Sequence, residues 1–169
     1  DRFLHLYESL KDDESDIIWC AKGGYGSGDL LPSLDKSEKI QQNNKKIISF
    51  SDFTSISTFL NQKWGWKIIY GPMIEQIINK KISDESILDI ENIILGNKGL
   101  DSFHLEKIYD VNNDNSSKEI VGGCFSVLAG HFGGKYQIDF DGKILFLEDQ
   151  GEDGERLDRY FRQFIEVFI

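Results

Sequence analysis

Three short apolar runs, each leading into a turn and then a change of pattern, constrain this chain more than any other feature. Asp16 to Ala21, Lys45 to Phe50 and Trp66 to Tyr70 read as strands. The first is followed by the loop Gly23-Gly24-Tyr25-Gly26-Ser27-Gly28 and a short helix beginning over Leu30 to Leu34. The second is followed by a helix over Phe53 to Lys63, and Gly71-Pro72 closes the third. Strands that alternate with helices lie side by side through crossovers, which implies a parallel sheet covered on both faces. Sites in such sheets form at the carboxyl ends of the strands. The Gly23 loop and the turn at Ser51 should therefore open at one edge. A short amphipathic helix over Arg2 to Leu10 precedes the first strand.

Ser51 sits where Ile47-Ile48-Ser49-Phe50 gives way to helix. A serine on a sharp strand-to-helix turn has its hydroxyl lifted out of the sheet, beside N–H groups that favour negative charge. The same position suits an ordinary N-cap serine, so the turn alone leaves nucleophile and cap both open.

A chain of 169 residues, 40% hydrophobic and 12% aromatic, can bury a core as one domain or two small ones. Its net charge of −10 argues against a nucleic-acid footprint and against an anionic membrane surface. Two cysteines, Cys20 and Cys124, make neither a disulfide framework nor a cysteine zinc site, and Cys20 reads as a small buried hydrophobe. No run approaches the ~18 apolar residues of a membrane span, and no signal peptide is visible. The cytoplasm is the expected compartment. The chain opens at Asp1 in a helical pattern and stops on Phe168-Ile169 inside another, so it is expected to be part of a longer protein.

The pattern changes between Lys80 and Lys118, which suggests an N-terminal α/β unit over 1–85, a linker over 86–118 and a C-terminal unit over 119–169. In the last of these, a helix is expected from Gly122-Gly123 to about His131. Strands over Tyr136 to Phe140 and Lys143 to Leu147 would then form a hairpin about Asp141-Gly142. Glu155 to Phe168 is an amphipathic helix with Leu157, Phe161, Phe164 and Phe168 on one face and Arg159 and Arg162 on the other.

Several candidate sites fall to simple tests. The glycine loop lacks the Gly-Lys-Ser/Thr ending of a P-loop and is not spaced G-x-G-x-x-G. Its glycines could instead bring backbone N–H groups close to a reacting carbonyl, or merely make a tight turn. Asp110, Asn112 and Asp114 mimic calcium-loop ligands, but Asn115 and Val121 stand where glycine and glutamate are required. Asn115-Ser116-Ser117 has the form of a glycosylation sequon, a chance match without a secretory signal. Glu148, at the end of Leu145-Phe146-Leu147, could orient a histidine as the third member of a triad, or could be a solvated loop acid. None of the three histidines has the context of a general base. His5 lies on a helix, His104 has no metal-spaced partner, and His131 reads as a helix C-terminal residue favoured by the dipole.

Read together, three segments resemble the LD-carboxypeptidase family of serine peptidases (family S66). They are Ile17-Ile18-Trp19-Cys20-Ala21-Lys22-Gly23-Gly24-Tyr25-Gly26-Ser27; Phe50-Ser51-Asp52-Phe53-Thr54 with Gly71-Pro72-Met73; and Gly122-Gly123-Cys124 through Tyr136-Gln137-Ile138-Asp139 to Ile144-Leu145-Phe146-Leu147-Glu148-Asp149, with Arg156-Leu157-Asp158-Arg159 after it. The resemblance implies a parallel, flavodoxin- or Rossmann-like α/β N-terminal domain and a smaller C-terminal domain of mixed sheet, both incomplete here, with the site in the cleft between them. It makes Ser51 the nucleophile, the N–H groups of Asp52 and Gly24 the oxyanion hole, and Glu148 the residue that orients the catalytic histidine. No metal or other cofactor is implied. The implied reaction removes a terminal D-amino acid from murein tetrapeptides, in peptidoglycan recycling, through an acyl-enzyme. The alternatives are a microcin C-type self-immunity peptidase that cleaves a peptide–nucleotide amide, and a non-catalytic fragment of the family. The implied partner is a small peptide or peptide–nucleotide substrate, with a homodimer left open.

In the family the histidine lies well downstream of the glutamate in a Phe-Gly-His type motif, which nothing here matches; Gly-His-Phe-Gly around His131 is not that motif. The isolated chain is therefore expected to be inactive and to expose apolar surface from Phe161, Phe164 and Phe168. Ser49 replaces a family glycine, Cys124 an asparagine and Lys22 an arginine, departures that bear on the elbow and on substrate fit.

Overall fold

The structure is a computed structural model, and it describes residues 1–97 and 118–169. His104 and the polar loop from Asp110 to Ser117, with its calcium-like and sequon patterns, lie outside the described residues.

The first half folds as its alternation requires. Helix α1 (Arg2–Lys11) leads to strand β1 (Ile17–Trp19), helix α2 (Leu31–Lys36), strand β2 (Lys46–Ser49), helix α3 (Thr54–Phe59) and strand β3 (Ile69–Tyr70). The three strands form one parallel sheet in the order β1-β2-β3, with Ile18 opposite Ile47 and Ser49 opposite Tyr70. Asp1 caps α1 by accepting from Phe3 N–H, and Pro32 lies in the first turn of α2, where its missing N–H costs nothing. α3 continues into a wider π turn over Leu60–Trp64 and ends on Gly65, whose left-handed φ of 77° stops it.

The main core packs Leu31, Leu34, Ile47, Ile56, Phe59, Leu60, Trp64 and Trp66 between α1, α2, the sheet and α3. Each such side chain removed from water contributes about 1.5–3 kcal/mol. Lys45 is also buried there. Its ammonium donates to Ser9 O at 2.7 Å and to Asp12 O, carbonyls at the C-terminal end of α1, where positive charge is favoured.

Helices α4 (Ile74–Ile78) and α5 (Asp84–Leu95) follow, the second capped by Ser83. Beyond residue 117 the chain resumes as strand β4 (Ile120–Cys124), helix α6 (Phe125–Ala129), strand β5 (Ile144–Glu148) and helix α7 (Gly154–Phe168). Two expectations need correction here. Gly122 and Gly123 lie in a strand and not in a helix, because β4 and β5 pair in parallel at van der Waals limits. A Cβ on Gly122, at φ 143°, would stand 1.7 Å from the Phe146 carbonyl oxygen. There is also no hairpin: residues 136–140 are irregular, and β5 finds its partner in β4. The apolar signal at 136–140 came from packing, since Ile138 is buried with Val121 and Leu128, and Phe140 lies against that cluster.

The face of α7 also differs from the expected one. Phe164 and Phe168 are half-buried, meeting Phe132 and Phe140 with ring centroids 5.0–5.8 Å apart. Phe161 packs on Phe125 at 4.6 Å yet stays 48% exposed, while Ile165 and Ile169 point outward. No described helix is long and apolar enough to cross a membrane.

Candidate functional site

Ser51 occupies the abrupt end of β2. Phe50 before it is fully extended, and Ser51 itself has φ 60°, a left-handed conformation unusual for a residue with a β-carbon. The cap reading does not hold, because Phe50 stands at the cap of the 3-10 turn Ser51–Phe53 and no side chain caps either that turn or α3. The Ser51 hydroxyl makes no hydrogen bond within the described residues and faces a cleft of about 790 Å³. Gly24, Asp52 and Glu148 line the same cleft. The structure thus brings together all four residues that the sequence singled out.

Each wall of the cleft is tied to the Ser51 turn. The glycine loop is fastened by Ser27, whose N–H donates to Asp52 Oδ2 at 2.9 Å and whose hydroxyl donates to the Asp52 carbonyl. Gly23 packs close enough that a Cβ there would be 3.4 Å from Ser51 Cβ. The C-terminal segment is fastened through Thr54, whose Oγ1 accepts Cys124 N–H at 3.1 Å. That approach depends on Gly123, since a Cβ there would meet Thr54 Oγ1 at 2.7 Å. Asp149 accepts Ser126 N–H at 2.7 Å and fixes the start of α6.

Glu148 lies at the end of β5, and its partner is Tyr70, whose hydroxyl donates to Glu148 Oε1 at 2.5 Å and accepts Ser51 N–H at 3.3 Å. Burial, and then the adjacent Glu148, push the Tyr70 hydroxyl well above the usual phenol range, so it remains a donor. No described histidine contacts Glu148. Nothing near Tyr70 in the sequence announced this bridge, although a tyrosine ending a parallel strand beside a Gly-Pro turn stands at the edge where such sites form.

His131 also differs from the expectation. It lies two residues past α6, and its Nε2 is 2.9 Å from Ser55 Oγ inside the cleft. Half-burial lowers its affinity for a proton, the opposite of stabilisation by a helix C-terminus. Ser55 lies in the first turn of α3, four residues past Ser51, and no local sequence signal pairs it with His131.

The departures are distributed unevenly. Cys124 lines the cleft, its thiol pushed up by burial. Ser49 is fully buried with its hydroxyl unpartnered among the described residues. Lys22 lies beside Gly24 on a neighbouring depression shared with Arg2. Cys20 is only partly buried, but its surroundings push its thiol up to about 11, as for an inert buried thiol. His5 is exposed on α1.

Residues 1–71 match the LD-carboxypeptidase N-terminal domain, and residues 118–169 match the LD-carboxypeptidase C-terminal domain. A putative carboxypeptidase of Rickettsia conorii is 34% identical over 161 residues, covering 94% of this chain and 51% of its own length. A probable murein peptide carboxypeptidase of Bacillus subtilis is 28% identical, covering 96% and 51%. The microcin C7 self-immunity protein MccF of Escherichia coli is 29% identical, covering 95% and 55%. The chain therefore spans about half the length of these relatives. Among solved structures, an MccF-like protein from Bacillus anthracis superposes with TM-score 0.74 at 20% identity, over 99% of this chain and 58% of its own. A muramoyltetrapeptide carboxypeptidase from Oxalobacter formigenes gives 0.71 at 23%, over 99% and 56%.

Proposed function

Because the chain belongs to the LD-carboxypeptidase family, we propose that it carries the nucleophile half of a serine carboxypeptidase that releases a terminal D-amino acid from a murein tetrapeptide. The observation that supports this most is Ser51 itself, held at φ 60° in one cleft with Gly24, Asp52 and Glu148. In this reading the Ser51 hydroxyl attacks the scissile carbonyl and the N–H groups of Asp52 and Gly24 receive the oxyanion. Ser51 passes its proton to a base that Glu148 orients, and the acyl-enzyme is then hydrolysed. Tyr70 holds Glu148 while also fixing the turn that carries Ser51. The reaction uses no metal or other cofactor, and the site of action is cytoplasmic.

The likeness to MccF favours a second reading, cleavage of an aminoacyl- or peptidyl-nucleotide amide on the same residues. In both readings the base is a histidine downstream of Glu148 that none of the three histidines here matches, so a polypeptide of these 169 residues alone is proposed not to turn over.

A fluorophosphonate probe on the folded full-length protein tests the shared chemistry. Labelling at Ser51 that disappears in Ser51→Ala supports it, and a folded protein that takes no label overturns it. Parallel assays on murein tetrapeptide and on an aminoacyl sulfamoyl adenosine separate the two substrates.

A further inference from the structure

The pair formed by Ser55 and His131 has no part in the chemistry proposed for Ser51, yet it lies in the same cleft. The two groups are 76 residues apart in sequence and are joined at 2.9 Å. Ser55 is 4% exposed, and its hydroxyl has no other partner among the described residues. His131 is half-buried, and its Nδ1 has no hydrogen-bond partner among them. Room for the ring depends on Gly28, where a Cβ would press to 3.3 Å from His131 Cε1. A serine hydroxyl can both donate and accept. It can therefore hold Nε2 whether the imidazole is neutral or charged, and leave Nδ1 to the cleft.

The charged groups lining this cleft are Asp29, Asp52, Glu75, Glu148, Asp149, Glu152 and Lys81, so carboxylates dominate. Five of these are already engaged: Asp29 by Arg2, Asp52 by Ser27, Glu148 by Tyr70, Asp149 by Ser126 and Glu152 by Arg156. An anion entering such a cleft needs a positive or donating group close to the reacting serine. Lys81 is exposed. His131 sits against Ser55, four residues past Ser51, and lines the same cleft.

We propose that His131, held by Ser55, binds the terminal carboxylate of the residue that the enzyme releases. This deepens the carboxypeptidase reading and rests on it for the class of substrate. Approach of the carboxylate draws a proton onto His131; Nδ1–H then donates to the ligand while Nε2–H donates to Ser55 Oγ. The pair thereby selects for peptides ending in a free carboxylate against the same peptides ending in an amide.

The test uses D-alanine and D-alaninamide as probes of the full-length protein, with the His131 ring followed by NMR across pH. D-alanine should shift the His131 resonances and move its titration midpoint to higher pH, and D-alaninamide should do neither. His131→Gln should weaken D-alanine binding about tenfold, and Ser55→Ala about threefold. Equal responses to the two probes, no response to D-alanine, or unchanged D-alanine affinity in folded His131→Gln would overturn the proposal. Fluorophosphonate labelling of Ser51 is read separately. A His131 response to D-alanine in a protein that takes no label sinks the hydrolase reading alone, and labelling without that response sinks the carboxylate site alone.

Discussion

Tyr70 donates its hydroxyl hydrogen bond to Glu148 at 2.5 Å, joining the end of one parallel sheet to the end of the other. The same oxygen accepts from Ser51 N–H, so one phenol fixes both the turn and the carboxylate. In Tyr70→Phe the ring contacts with Phe50 and Phe146 remain, while Glu148 and Ser51 N–H each lose a partner. The expected cost is about 1–3 kcal/mol in urea unfolding, with slower fluorophosphonate labelling of Ser51. Wild-type stability and wild-type labelling together would show that the bridge is idle.

Gly122→Ala should be far more damaging. Its Cβ would fall 1.7 Å from the Phe146 carbonyl oxygen, which is backbone and cannot swing aside. Separation of β4 from β5 should cost at least about 3 kcal/mol. Gly154→Ala, at the open first turn of α7, is the matched control and should leave the unfolding midpoint unchanged or slightly raised.

Ser49→Ala should stabilise the protein. Its hydroxyl is buried without a described partner, and removing it relieves a desolvation cost of roughly 1 kcal/mol or more. A rise in thermal midpoint is expected. A fall would mean that the hydroxyl has a partner beyond the described residues.

His131 sets a pH dependence whose sign can be worked out. Burial places its folded pKa below the ordinary 6.5, so as pH falls the unfolded chain takes up the proton first. This group's contribution is full above about pH 6.5, falls as pH drops below that value, and levels off once the folded imidazole is protonated too. Denaturation of wild type and His131→Gln at pH 8 and pH 5 isolates the effect. The wild type should lose more stability between the two, and parallel losses would refute the assignment.

The parallel first sheet was legible because its strands are continuous apolar runs, each closed by a turn. Ser51 was legible for the same reason, as a small polar residue directly after such a run. The second sheet was not. Gly122-Gly123 normally argues against a strand interior, and its real cause, a backbone in contact with Phe146 and Thr54, becomes visible only once β5 and α3 are in place. Tyr136 to Phe140 carried an apolar pattern because Ile138 fills a cluster, and local pattern cannot distinguish that from pairing. Tyr70 on Glu148 and His131 on Ser55 join positions 78 and 76 residues apart, beyond the reach of any local signal.

Those separations also bear on how the molecule reaches its native state. Loop-closure entropy must be met before non-local contacts can return any free energy, so regions of high contact order form late. The first sheet can assemble from neighbouring segments, whereas the cleft waits for β5 to cross to β4 and for Glu148 to reach Tyr70. The Ser51 turn should therefore exist, strained and open, before its carboxylate arrives. Pulsed hydrogen exchange during refolding would show β2 amides protected before those of β4 and β5.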